Sequence, residues 1–421
     1  MANPNPNPLS IIIVGAGIGG LSAAIALRQN GHTVSVLEKS PYIKDLGVAM
    51  HIPPNATGCL LTLGIDPSEH NAVKPSVLTQ FTHNGEVMHR EDIVAKSGMW
   101  QHPWYFMNRS SLHRALRKKA EDVGVNVVMD AEFNVTGVEG LHGESVTVKY
   151  GSGMKTGDLV IAADGIGSRL RGVVAPDAKL VPSGKSAYRF MVARSLVSKG
   201  LLREEGGEMW IWKGPDRRVV CYATEDNQSF NLVAIHPDSD DWSEKDRWGK
   251  PGDVQKLLST FSGFTDDCLD ILKLAEPQTL MIWRLLDMLP LDTWVKGRLA
   301  LLGDAAHPFL PYQGQGASQA LEDATSLAVV LPFGVKPDEV EEMLKLYETC
   351  RLERAHRIQE YTRISGQDHG QGVDMSKYTP YNFGHDEGQH SSGILQKWMG
   401  EMEREVKREN PIGPILPCNS V

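Results

Sequence analysis

The chain has 421 residues, of which 41% are hydrophobic and 23% charged, and its formal net charge is -9. That is the composition of a globular protein with room for two or three domains, and its acidic balance leaves no basic footprint for nucleic acid or anionic lipid. Five cysteines (Cys59, Cys221, Cys268, Cys350 and Cys418) are scattered, odd in number and without a C-x-x-C pair, which excludes a disulfide framework or zinc site and points to a reducing, cytoplasmic setting.

The opening ANPNPNP is a polar lead-in expected to fray. From Leu9 the chain reads as strand, turn, helix, strand. Ile11–Val14 is an apolar run, and Gly15, Gly17 and Gly20 follow as G-x-G-x-x-G. A small-residue helix spans Leu21–Gln29, stopped by Asn30 and Gly31, and a second strand, Thr33–Leu37, ends on Glu38. Gly15 permits a tight turn, Gly17 lets a pyrophosphate approach the backbone, and Gly20 lets the helix pack close to the strand. The helix N-terminus favours the negative charge, and Glu38 stands where an acid holds a ribose diol. This order predicts a dinucleotide site, for FAD or NAD. Leu9–Leu27 carries no charge, but four glycines in its middle and no basic run before it argue against a membrane span or signal peptide.

Pro41–Asn55 is a Pro- and Gly-rich loop, and Leu60–Gly64 ends a short helix. Residues 73–106 alternate loosely between turns at Asn84-Gly85 and Ser97-Gly98, which predicts strands. Asn108–Val123 is helical, with Ser110 or Ser111 as cap and Leu112, Leu116 and Ala120 on one face. Val125–Met129 is a strand, Val135–Tyr150 a hairpin around Gly140–Gly143, and Leu159–Ala162 a buried strand ending at Asp164-Gly165. Period-two strands follow at Ala187–Ala193, Glu208–Trp212, Arg218–Ala223 and Phe230–His236, with a helix over Asp253–Phe261. Leu280–Asp287 and Arg298–Leu302 are further strands, the latter ending at Gly303-Asp304. Helices are expected at Gly316–Val330, Asp338–Ile364 and Ile394–Arg408, with a polar tail beyond Gly366. The charged stretch Asp338–Gln359 reads as a solvated surface helix with an apolar stripe on the first domain, not as a partner-binding segment.

Two later motifs share the logic of the first. LVIAADGIGSRLR, Leu159–Arg171, is a buried strand ending in an acid. GRLALLGDAAHPFLPYQGQGASQALEDA, Gly297–Ala324, is another, followed by a Pro- and Gly-punctuated loop and a helix opening at Gly316-Ala317. Open α/β sheets bind ligands at such carboxyl ends. With GAGIGG, these motifs resemble the class A flavoprotein monooxygenases, the family of salicylate and para-hydroxybenzoate hydroxylases, over Ser10 to Arg354.

The resemblance implies an α/β fold: a Rossmann-like FAD-binding domain with an inserted mixed or antiparallel sheet over the substrate, then C-terminal helices. The FAD-binding portion would be 1–72, 105–182 and 277–337, the substrate portion 73–104 and 183–276, and the helical tail 338–421. Gly15, Gly17 and Gly20 would cradle the FAD pyrophosphate, with Glu38 and its neighbour Lys39 at the adenosine end. Gly47-Val48-Ala49-Met50 stands where the family has Gly-Ala-Gly-Ile, so Ala49 replaces a glycine beside the flavin. Arg109 would reach the FAD, Asp164 the FAD and the nicotinamide's approach, and Asp304 the ribityl chain, while Gly316 and Ala317 open the helix aimed at the flavin ring. NADPH or NADH would reduce the flavin transiently, without a domain of its own, and O2 would form a flavin C4a-hydroperoxide that oxygenates a small aromatic compound. The expected state is a monomer or homodimer.

Similar fungal phenol hydroxylases place an arginine and a tyrosine on the phenolate; Arg189 and Tyr222 match them here. Trp210-Ile211-Trp212-Lys213-Gly214-Pro215 resembles a halogenase motif but lacks its isoleucine, and sheet packing accounts better for the tryptophans. His307 is expected to shape the flavin pocket as a loop residue, and His236 to end a strand. Epoxidation of an indole or alkene, dehydrogenation without oxygen insertion, and a flavin-binding scaffold are the competing readings.

Overall fold

The computed structural model describes residues 8–40, 48–130, 133–202, 206–239, 241–243, 246, 249–367 and 377–409. The ANPNPNP lead-in up to Asn7, Gly47 and Cys418 lie outside them. The first sheet has six strands in the order Val295–Lys296, Leu299–Leu301, Leu159–Ala162, Ser10–Val14, Thr33–Glu38, Asn126–Met129. All pairs are parallel except the first. Ser10–Val14 is central, with Thr33–Glu38 on one side and Leu159–Ala162 on the other, so the winding direction reverses beside it. Crevices form at such switch points. The strand is almost wholly apolar because both faces are covered; Ile11, Ile12 and Ile13 are all buried.

The second sheet has eight strands: Lys250–Pro251, Met281–Met288, Leu180–Ala193, Ser229–Pro237, Arg218–Thr224, Glu208–Lys213, Val77–Thr82, Val87–Asp92. It is antiparallel except where Glu208–Lys213 meets Val77–Thr82. One face carries Trp210, Trp212, Phe230 and Leu232 into a core closed by the helices Val254–Thr260 and Asp266–Leu272. Trp210 stacks on Phe230 at 5.0 Å and Trp212 on Phe81 at 5.4 Å. The W-x-W pair therefore packs the core.

Several expectations need correction. Met281–Met288 lies in the segment assigned to the FAD-binding portion, yet it pairs with Leu180–Ala193 in the second sheet. Helix 109–122 is capped by Asn108, whose side chain accepts from the Ser110 N–H at 2.9 Å; the bond forms two residues ahead of its acceptor, so neither serine is needed. The hairpin at 135–150 gains a third strand, Gly153–Gly157. The first helix starts at Ile18, not Leu21, and the last spans Glu387–Glu409, beginning earlier than Ile394.

The charged helix, Val340–Gly366, is not simply solvated. Its Arg351 and Arg354 are buried. Arg351 donates to Asp323 at 2.9 Å and to Glu322 at 2.7 Å on helix Gly316–Val330, and to Glu387 at the start of the last helix. Arg354 donates to Glu322 at 2.8 Å. Burial pushes the Glu322 carboxyl up, but Arg354 and Arg351 outweigh it and hold it well below the usual carboxylate range. The arginines compensate carboxylates on other helices, an arrangement invisible to a one-helix pattern.

Candidate active site

Between the two sheets lies a cavity of about 1920 Å³. Its floor collects the carboxyl ends of three neighbouring parallel strands: the glycine turn after Val14, Ala163–Ile166 after Ala162, and Gly303-Asp304 after Leu301. Gly17, Gly20, Lys39, Ala49, Arg109, Asp164, Asp304, Gly316 and Ala317 line it, as do Arg189 and Tyr222 from the roof. Gly15 and Glu38 line a smaller adjoining cavity of about 200 Å³, shared with Lys39, Asp164 and Arg169.

The glycines divide their work. Gly15 sits at φ 109°, and a Cβ there would collide with the Ala163 carbonyl. A Cβ on Gly20 would strike the Gly15 carbonyl, whereas one on Gly17 would meet nothing within 4 Å. Gly15 and Gly20 thus serve the backbone, and Gly17 keeps open space in front of helix Ile18–Gln29. That helix has no side-chain cap and no acid in its first turn. Helix Gly316–Val330 is the same, entered from Gly314 at φ 62°. Both N-termini present unsatisfied N–H groups.

Glu38 accepts from the N–H groups of Ala16 and Ser40, each at 2.8 Å, and its oxygens keep further lone pairs. Asp164 accepts from the Arg169 N–H at 2.9 Å through Oδ2, while its buried Oδ1 has no partner among the described residues. Ala49 spends its N–H on Asn231 Oδ1 at 2.9 Å, a bond that ties the strand Ala49–Ile52 to the roof. Asp304 is exposed on the cavity wall. The protein crowded around it raises its carboxyl above the usual range, with His307, Arg109 and Arg171 pulling the other way. Burial likewise lowers the Arg109 guanidinium, opposed by Asp304.

The roof is one face of the eight-stranded sheet. Arg189 pairs in register with Val233, Val233 with Val220, and Tyr222 follows two residues on, so both polar groups point down. Arg189 lies over the Trp283 ring at 5.1 Å, and its buried Nε has no hydrogen-bond partner among the described residues. Burial depresses the guanidinium's proton affinity, against which Tyr222 pulls. Burial pushes the Tyr222 phenol well above its ordinary range despite Arg189. Tyr222 is therefore a neutral O–H at physiological pH, and Arg189 remains a cation.

Three residues escaped the sequence reading. His51 lines the cavity between roof and floor, edge-on to Tyr222 at 4.7 Å and beside Phe106 at 4.9 Å. Burial lowers its pKa to about 4, so it is neutral. His113 bonds the Ala16 carbonyl at 2.7 Å and steadies the glycine turn. Arg171, the last residue of ADGIGSRLR, donates to the carbonyls of Asp304 and Ala305 at 2.7 and 2.8 Å. Each rests on contacts between distant segments; only Arg171 had a motif to mark it. His307, expected at the pocket, is buried behind it, bonded to Asp323 at 2.7 Å; helix Gly316–Val330 supplies a carboxylate that draws the ring inward. His236 closes its strand and stacks on Tyr188 at 5.0 Å.

These features suit a flat dinucleotide with a charged middle: open space at Gly17, two uncapped helix N-termini and an orphaned Asp164 oxygen. The comparisons agree. Residues 9–362 match a family described as FAD binding domain. The chain is 35% identical over 363 residues to the FAD-dependent monooxygenase atnJ of Arthrinium sp, covering 84% of this chain and 83% of that one. It is 30% identical over 371 residues to hispidin-3-hydroxylase of Neonothopanus nambi, covering 83% and 86%. The crystal structure of CtdE in complex with FAD and a substrate superposes with a TM-score of 0.82 at 23% identity, over 94% of this chain and 100% of that chain. The chain belongs to the FAD-binding domain family and, within it, to the class A flavin monooxygenases. It is an FAD-dependent monooxygenase. Among the described residues, no helix is long and apolar enough to cross a membrane.

Proposed function

We propose that this monooxygenase uses NADPH or NADH with O2 to hydroxylate a small phenolic ring lying under Arg189 and Tyr222. One oxygen atom enters the ring, the other leaves as water, and the nicotinamide supplies two electrons. Bound FAD supplies the redox chemistry, taking the hydride and activating oxygen.

The chain's residues do the rest. Gly15, Gly17 and Gly20 would bring the N-terminus of helix Ile18–Gln29 against the pyrophosphate, with Glu38 and Lys39 at the adenosine end. Arg109, Asp164 and Asp304 would hold the middle and ribityl portion, with Ala49 beside the ring. Gly316 and Ala317 would direct a helix N-terminus at the ring, stabilising negative charge there. Arg189 would hold the substrate oxygen and favour its phenolate, the electron-rich form. Tyr222, kept protonated by burial, would donate to the same oxygen.

The observation carrying this reading is the buried, unpartnered Arg189 Nε above the cavity. Incorporation of label from ¹⁸O2 into a phenolic product, with matched NADPH consumption, is the expected result. Turnover of phenols with no labelled product would remove the reading.

A further inference from the structure

The cavity, about 1920 Å³ in all, includes the dinucleotide floor and continues beyond it under the roof. That continuation has a direction. Along the roof from Arg189, Val233, Val220, Ile211 and Leu78 form an apolar diagonal on the cavity wall, one per strand, with the polar Gln80 in register opposite Ile211 and bonded to Lys213. The row ends at the edge strand Val87–Asp92, five strand spacings or about 24 Å from the Arg189 strand.

At that end large apolar side chains meet solvent on the cavity wall, set among the polar His89, Glu91 and Lys96. Met88, Val94 and Met99 line it while exposed by 45%, 62% and 65%. Of the eleven exposed large hydrophobic residues among those described, four (with Val87) fall within residues 87–99. Scattered exposed apolar residues need no explanation, but a cluster on a cavity mouth does. Trp100 and Trp104 close the far side against Phe383, with ring centroids 5.6 and 5.3 Å away.

We infer that the substrate is a phenol carrying an extended apolar chain, its ring under Arg189 and its tail running along this strip to the Val94–Met99 mouth. The inference rests on the phenolic reading above. A partner protein or lipid surface would need the exposed patch, but not an apolar diagonal crossing the roof from it toward Arg189. A chain-bearing substrate needs both.

The test is equilibrium dialysis of para-alkylphenols, methyl to octyl, against the FAD-loaded enzyme. Affinity is expected to rise roughly fourfold per added methylene, the transfer value for a buried CH2, over the first several carbons. Val94→Lys and Met99→Lys, both at exposed positions, should flatten that slope; Leu289→Lys, an exposed site off the cavity, should not. If para-cresol binds and longer chains bind no better, the tail falls and the phenolic reading stands. If no phenol binds at any length, both fall. An unchanged slope in Val94→Lys and Met99→Lys overturns the assignment of the mouth.

Discussion

Arg171 donates from Nη2 to the backbone carbonyl of Asp304 at 2.7 Å, joining the segment of one acid turn to the other across 133 residues of chain. Its Nε bonds the next carbonyl, of Ala305. The side chain is 5% exposed, so its loss strands carbonyls that water reaches poorly. Arg171→Met should cost about 2–4 kcal/mol and weaken FAD binding about tenfold, with partial recovery in Arg171→Lys. Thermal denaturation and flavin fluorescence titration measure the two effects separately.

The three motif glycines should respond differently. Gly20→Ala collides with the Gly15 carbonyl and should lower the melting temperature markedly, on the order of 5 °C or more. Gly17→Ala meets nothing and its backbone is extended, at φ -72°. It should fold with near-normal stability while FAD affinity drops at least about tenfold, because the methyl occupies the pyrophosphate's approach. Equal affinity in Gly17→Ala would mean the cofactor's charged middle lies elsewhere.

Arg189→Ala should retain FAD but lose about 10²–10³ in kcat/KM, the range for removing a charged stabiliser from a closed site. NADPH consumption should shift toward peroxide. Tyr222→Phe removes one neutral donor and should cost about tenfold. Stopped-flow turnover with peroxide quantification distinguishes slower chemistry from uncoupling.

Acid sensitivity follows from His51. Its folded pKa is about 4 against an ordinary 6.5. Between those values the unfolded chain binds a proton that the folded one refuses. Its contribution is therefore complete above about pH 6.5 and lost as pH falls toward 4, at most about 3 kcal/mol. Burial shifts His32, His113 and His356 in the same direction. Urea unfolding between pH 7 and 4.5 should show falling stability, and His51→Gln should reduce the slope.

Local chemistry was legible and pairing was not. The glycine turn, the acid after each buried strand and the helix at Gly316 are each written in consecutive residues. The face of the roof strands was readable from period two, which placed Arg189 and Tyr222 on strands and Trp210 and Trp212 in packing. Met281–Met288 alternates like its neighbours, but nothing within it says which sheet it joins; that is decided by hydrogen bonds to Leu180–Ala193. Arg351 and Arg354 looked solvated because their carboxylate partners sit on two other helices. Removing one partner of such a set, as in Arg351→Met, should cost about 3–5 kcal/mol in chemical denaturation.

The chain passes between its two sheets four times: between Glu38 and Val77, Asp92 and Asn126, Ala162 and Leu180, and Met288 and Val295. The four crossings differ in length and lie at different positions along the two sheets. A swing of the roof away from the floor would have to bend all four crossings together, so the sheet-to-sheet spacing over the cavity is fixed at four separate points of the chain.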